Sequence, residues 1–156
     1  MTAYERTGWR DEEVSGRHRE WGFNCPAVDL DFLMVEYNLG APVAVVEYKH
    51  HRARMPDLKH PTYRALCDLA DNYSSAAGPL PFILAFYWPE IWAFKVYPVN
   101  GVALEFYKQA SEFDGRSILL TERRYVRSLY ALRRIAVDKR VINRLMDELP
   151  APAEAA

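Results

Sequence analysis

Hydrophobic positions follow two different periods along this chain. From Val28 to Tyr37 (VDLDFLMVEY) and from Val43 to Lys49 (VAVVEYK) the residue types are those of extended backbone, where side chains alternate between faces. The intervening Asn38-Leu39-Gly40-Ala41-Pro42 is turn-like, so the two runs predict a β-hairpin with a loop of about 4 residues. The second strand is apolar on both faces, with Val43 and Val45 on one and Ala44, Val46 and Tyr48 on the other, which puts it in the middle of a sheet. Pro61 to Tyr73 changes to helical spacing through Tyr63, Leu66, Cys67, Leu69 and Ala70, and Pro61 suits a first helical position. Leu80 to Trp88 and Ile91 to Tyr97 return to strand composition around a tight Trp88-Pro89-Glu90 connection, and Val102 to Tyr107 reads as a further short strand after an Asn100-Gly101 turn. Between Thr121 and Leu149, residues Val126, Leu129, Leu132, Ala136, Val141, Leu145 and Leu149 recur at near-helical spacing, predicting one long helix or two broken near Asp138. A short helix within residues 4–21, anchored by Trp9, Val14 and Trp21, comes first. The order α, β, β, α, β, β, α predicts an α/β fold with a mixed central β-sheet flanked by helices.

Composition narrows this picture. The chain has 156 residues, 50% of them apolar and 26% charged, enough for one core and one domain over residues 1–149, followed by a Pro/Ala-rich tail at 150–156 expected to be disordered. No run of about 18 uncharged apolar residues is present and the opening residues have no hydrophobic leader, so a membrane span and secretion are not expected. Cys25 and Cys67 make neither a disulfide framework nor a zinc-ligand pattern, and a cytoplasmic setting follows. The net charge of −1 conceals an asymmetry: Arg116 to Arg144 holds nine Lys/Arg against two Asp/Glu, leaving eleven basic and nineteen acidic residues elsewhere.

The residues that point to chemistry are Asp29, Asp31, Glu47 and Lys49. Two-residue alternation puts Asp29 and Asp31 on one face of their strand and Glu47 and Lys49 on one face of theirs. A hairpin pairing residues whose numbers sum to about 78 sets Asp31 opposite Glu47 and Asp29 opposite Lys49. Facing carboxylates in an apolar sheet repel unless compensated, and a divalent cation supplies that compensation. Hard oxygen ligands, with water and phosphate oxygens in the remaining positions, suit Mg²⁺ or Mn²⁺. A lysine on the same face orients an attacking water or neutralises charge at phosphorus, so phosphodiester hydrolysis is chemically sensible.

Asp31, followed sixteen residues later by Glu47-Tyr48-Lys49 on a hairpin between two helices, resembles the PD-(D/E)xK nuclease superfamily over roughly residues 11–97. The resemblance implies a restriction-endonuclease-like α-β-β-β-α-β core, here with an added C-terminal helical region. It implies a metal-dependent deoxyribonuclease, structure-selective or accessory, of the kind a phage or mobile element carries. Asp31 and Glu47 become metal ligands and Lys49 the catalytic lysine, with a helix-borne acid such as Glu20 completing the site. Asp29 competes with Asp31 for the ligand role because no proline precedes either, and Glu12, Glu13 and His18 compete with Glu20. The alternative is a noncatalytic module of the same fold that binds nucleic acid or a partner protein.

Arg52 and Arg54 in the loop after Lys49, and Arg123, Arg124 and Arg127 in the basic tract, are candidate contacts for DNA phosphates, RNA not being excluded. Arg133, Arg134, Lys139, Arg140 and Arg144 extend that tract, which reads equally as a solvated helix face. His50, His51, His60 and Cys67 match no standard zinc spacing, although His50 or His51 lies close enough in sequence to Lys49 to meet a phosphate. The aromatic run Phe82, Phe86, Tyr87, Trp88, Trp92, Phe94 and Tyr97 reads as core packing, with a share left for a homodimer interface.

Overall fold

The computed structural model describes residues 12–21, 27–36, 39–74, 78–133 and 139–149. Its elements are α1 (Glu12–Trp21), β1 (Phe32–Glu36), β2 (Ala41–His50), α2 (Pro61–Asp71), β3 (Phe82–Trp88), β4 (Ala93–Pro98), α3 (Gly101–Tyr107), β5 (Ile118–Thr121), α4 (Glu122–Leu132) and α5 (Lys139–Glu148). The strands form one mixed five-stranded sheet in the order β1-β2-β3-β4-β5. Neighbours are antiparallel except β2 and β3, which are parallel and joined through α2. That connection needs a crossover, and the helical spacing after Pro61 provides it.

Alternation sorts the strand side chains between two layers. Val46, Ile83, Ala85, Phe94, Val96, Ile118 and Leu120 pack with Ala103 and Tyr107 of α3 and Tyr125 of α4. Val45 and Phe82 face the other way, against Tyr63, Leu66 and Ala70 of α2 and Leu80. The sheet is thus covered by α3 and α4 on one face and by α2 on the other. Each large side chain fully buried in these layers contributes about 1.5–3 kcal/mol of transfer free energy.

Asn100 explains where the segment after β4 departs from expectation. Val102 to Tyr107 belongs to helix α3 rather than a strand. The Asn100 side-chain oxygen accepts the N–H of Ala103 at 3.1 Å and that of Phe82 at 3.0 Å, while its amide donates to Leu80 O and to Asp71 Oδ1, both at 2.8 Å. Asn100-Gly101 is therefore a helix N-cap tied to two neighbouring segments, and the buried pair Ala103 and Tyr107 sits at the i, i+4 spacing of one helical face. Ile118–Thr121 pairs with β4 as an edge strand that the residue pattern did not disclose, and Thr121 then caps α4 by accepting Arg124 N–H at 3.4 Å. The basic tract forms the two helices α4 and α5; Asp138, Arg134, the tail at 150–156 and the first turns expected before Glu12 lie outside the described residues. Two strands rather than three precede α2 among the described residues.

Candidate active site

The hairpin pairs Phe32 with Val46, Leu33 with Val45 and Met34 with Ala44, the register expected from alternation, before an irregularity between Met34 and Val35 shifts Val35 onto Pro42. One residue before Phe32 the ladder stops. Odd-numbered N–H groups of β2 and the turn after it point to β3, as Val45 to Pro81 O and His51 to Tyr87 O show at 2.9 Å each, so Tyr48 N–H faces the β1 side. With no β1 carbonyl continuing the ladder, the Asp31 carboxylate takes that role: Tyr48 N–H donates to Asp31 Oδ2 at 3.3 Å. A backbone hydrogen bond thereby fixes the acid beside the Glu47-Tyr48-Lys49 stretch.

Glu47 and Lys49 share the α2 face, as their two-residue spacing requires. Glu47 is only 8% exposed. An ionised carboxylate at that depth is costly unless paired, and two donors meet it. Lys49 Nζ donates to Glu47 Oε1 at 2.6 Å, and the Tyr63 hydroxyl, delivered by the first turn of α2, donates to the same oxygen at 3.4 Å. Burial lowers the pKa of the Lys49 ammonium, but the hydrogen bond to Glu47 and the charges of Glu47, Tyr63 and Asp31 outweigh it, so the net shift is upward and the amine is held as a cation. The Tyr63 phenol is shifted up by burial first and by the Glu47 charge second.

Because both donors use Oε1, neither engages Glu47 Oε2, and the Tyr48 bond leaves Asp31 Oδ1 available in the same way. Two carboxylates with open oxygens are the donor set a hard divalent cation takes, the rest of its shell being water and phosphate. Among the described residues no third His, Cys or acidic ligand joins them in a close group of three.

The remaining expected site residues are distributed as follows. Asp29 is exposed and lines a cavity of about 280 Å³ with Val14, Ser15, His18 and Arg19 of α1. Glu20 is exposed and ion-paired with Arg17 at 2.7 Å. Arg52 and Arg54 are exposed in the segment that follows β2. Arg123, Arg124 and Arg127 are on α4, across the sheet from Glu47 and Lys49; Arg123 donates to Asn143 Oδ1 and Arg124 pairs with Glu112 at 2.8 Å. Arg133 pairs with Glu36 at 2.9 Å.

His60 caps α2, its Nδ1 accepting Thr62 N–H at 3.3 Å, and so has a structural role. Phe82, Phe86 and Phe94 are buried, and Tyr87, Trp92, Phe94 and Tyr125 form successive ring stacks. Tyr63 was legible only as an apolar helix position; its role as a hydrogen-bond donor depends on which strand face α2 covers, and local sequence does not carry that. Compared with known proteins, the chain matches no family model, no curated protein and no solved structure.

Proposed function

We propose that the protein is a metal-dependent nuclease hydrolysing phosphodiester bonds of DNA, with Asp31 and Glu47 as ligands of Mg²⁺ or Mn²⁺ and Lys49 as the catalytic amine. The observation that carries this reading is the arrangement on Glu47: one oxygen holds Lys49 at 2.6 Å and the other is left open, beside an Asp31 anchored to the intervening Tyr48. Glu47 Oε2 is not shielded from solvent, so a cation with its water shell can reach a carboxylate that Lys49 and Tyr63 hold by the other oxygen.

When bound, the cation polarises a phosphoryl oxygen and lowers the pKa of a coordinated water. Asp31 and Glu47 supply the negative charge that holds it. Lys49 is fixed to Glu47 by one N–H and keeps two more donors for the attacking water and a nonbridging phosphate oxygen. Tyr63 holds the Glu47 carboxylate in place from α2. In the reaction, water forms a P–O bond and gives up a proton to solvent, the P–O bond to the sugar breaks, and the departing alkoxide takes a proton from solvent. Arg52 and Arg54, exposed a few residues beyond Lys49, are available to neutralise flanking phosphates.

The test incubates plasmid, linear duplex and single-stranded DNA with wild type, Glu47→Ala and Asp31→Asn in Mg²⁺, Mn²⁺ or chelator. Cleavage by wild type that needs the metal and is lost in both variants is expected. Equal cleavage by all three proteins would reveal contamination, and metal-independent DNA binding without cleavage would favour a noncatalytic module.

A further inference from the structure

At the far end of β2 the chain sets two imidazoles side by side. His50 closes the strand, His51 opens the following turn, and their ring centroids are 4.4 Å apart. Neither ring is loose. His51 lies nearly flat on Trp88, 5.3 Å away at an interplanar angle of 15°, and its backbone N–H is bonded to Tyr87 O. His50 meets Tyr87 edge-on at 5.5 Å, and its Nδ1 receives Arg52 N–H at a long 3.3 Å, a weak bond that the ring gives up when its single lone pair goes to a cation. The turn after β3 brings a carboxylate to this pair: one ligand atom each from His50, His51 and Glu90 all lie within 4.8 Å of one another.

The contact between His51 and Glu90 is the informative one. His51 Nε2 is shielded from solvent and has no hydrogen-bond partner among the described residues. It faces Glu90 Oε2 at 3.8 Å, too far for a hydrogen bond. Two donors that bind a single ion at about 2.0–2.2 Å each stand about 3 to 4 Å apart, so this gap has the dimensions of a shared ion. A buried ring nitrogen aimed at a carboxylate without bonding to it is what a ligand set looks like around its metal position.

We propose that His50, His51 and Glu90 form a binding site for a borderline first-row divalent cation, with Zn²⁺ as its representative, separate from the Asp31 and Glu47 carboxylates. Two imidazoles and one carboxylate favour such an ion over Mg²⁺, which prefers oxygen throughout. Three protein ligands leave a fourth position for water or an exogenous ligand. The ion would clip the end of β2 to the β3–β4 turn, a turn whose Trp92 already has a left-handed φ of 46° and is stacked between Tyr87 and Phe94. This site does not depend on the nuclease reading.

Zn²⁺ titration by calorimetry, with Co²⁺ absorption as a second probe, tests it on the full chain stripped of metal. Wild type is expected to take up one Zn²⁺ at this site, and His51→Ala and Glu90→Gln are expected to weaken that binding by at least about tenfold, with Asp31→Asn, Glu47→Gln and His60→Ala unchanged. Zn²⁺ should raise the melting temperature of wild type and not of Glu90→Gln. Because Glu90 is exposed, its replacement leaves folding intact even if His51→Ala does not fold. Unchanged affinity in Glu90→Gln, loss in Asp31→Asn and Glu47→Gln, or loss in His60→Ala would each overturn the proposal.

Discussion

The two faces of the sheet come from the same strands yet are covered differently. On the α3 and α4 face, Val96, Ile118, Leu120 and Tyr125 are each at most 4% exposed, and a Tyr48 to Tyr125 hydroxyl contact at 2.7 Å satisfies the polar groups inside. On the α2 face, Val45 and Phe82 are fully buried, but the edge positions Leu33 and Leu119 are 44% and 61% exposed. Leu33 is paired with Val45, and Leu119 with Lys95, so the cover ends toward both edges. Glu47 and Lys49 lie on this less completely covered face, near the end of β2, the interior strand next to the edge strand β1. A charged pair is tolerable where one member is buried enough to be held and the other reaches water: the Lys49 side chain is 31% exposed against 10% for Glu47. The closed face supplies stability, and the open one carries the residues proposed to react.

That division predicts a crossed pair of effects. Lys49→Ala should lower metal-dependent DNA cleavage by about 10² to 10⁴. Its stability cost should be about 1–3 kcal/mol, because the lysine is partly solvated but the buried Glu47 loses one of its two donors. Phe94→Ala should do the reverse. It removes a ring stacked on Tyr125 at 4.1 Å and leaves a cavity, costing about 3–5 kcal/mol, while the activity of the molecules still folded is retained. Urea unfolding and initial cleavage rates on the same preparations check both. A Lys49→Ala protein that unfolds as readily as Phe94→Ala would mean the charged pair is architecture, and the contrast between the faces would fail.

Much of this contrast was legible in the residues. Alternation alone placed Glu47 and Lys49 on one face, and the pairing of Phe32 with Val46 follows the expected register. The faces' covers were less legible, because they depend on contacts distant in sequence. Asn100-Gly101 looks the same as a hairpin turn and as a helix cap until Phe82 and Leu80 are brought beside it. Ile118–Thr121 is too short to signal a strand and exists through pairing with β4. Glu90 approaches His51 only because β2 and β3 are parallel neighbours, a relation no local pattern encodes. The α4 arginines show the same limit: their number was readable, but the side of the sheet they occupy was not.

A smaller effect tests how closed the α3 and α4 face is. Burial pushes the Tyr107 phenol up to about 12, with the Ser128 hydroxyl opposing slightly, and burial with the Tyr48 contact pushes Tyr125 up as well. A phenol in the unfolded chain titrates near about 10, so the folded state keeps its proton longer. The associated stability is fully present below about pH 10 and is lost as pH rises through about 12, amounting to about 2–3 kcal/mol for Tyr107. Urea midpoints should fall between pH 9 and 11.5, and Tyr107→Phe should flatten that fall. Absorbance at 295 nm showing every tyrosine ionising near the free value would mean that this face admits water.

The smallest effect concerns which face DNA meets. Arg52 and Arg54 follow directly on the strand that carries Glu47 and Lys49, whereas Arg123 and Arg127 belong to the helix on the other side of the sheet. A duplex positioned for attack at Lys49 reaches the first pair without crossing the molecule. Each phosphate neutralised releases counterions, so losing one contact lowers the slope of log affinity against log salt by about 0.9. Arg52→Ala and Arg54→Ala should each lower it by about that amount when binding is measured by anisotropy in Ca²⁺, while Arg123→Ala and Arg127→Ala leave it unchanged. The opposite pattern would route DNA over α4, and the carboxylates and amine on the far face would then lie away from the bound backbone they are proposed to cut.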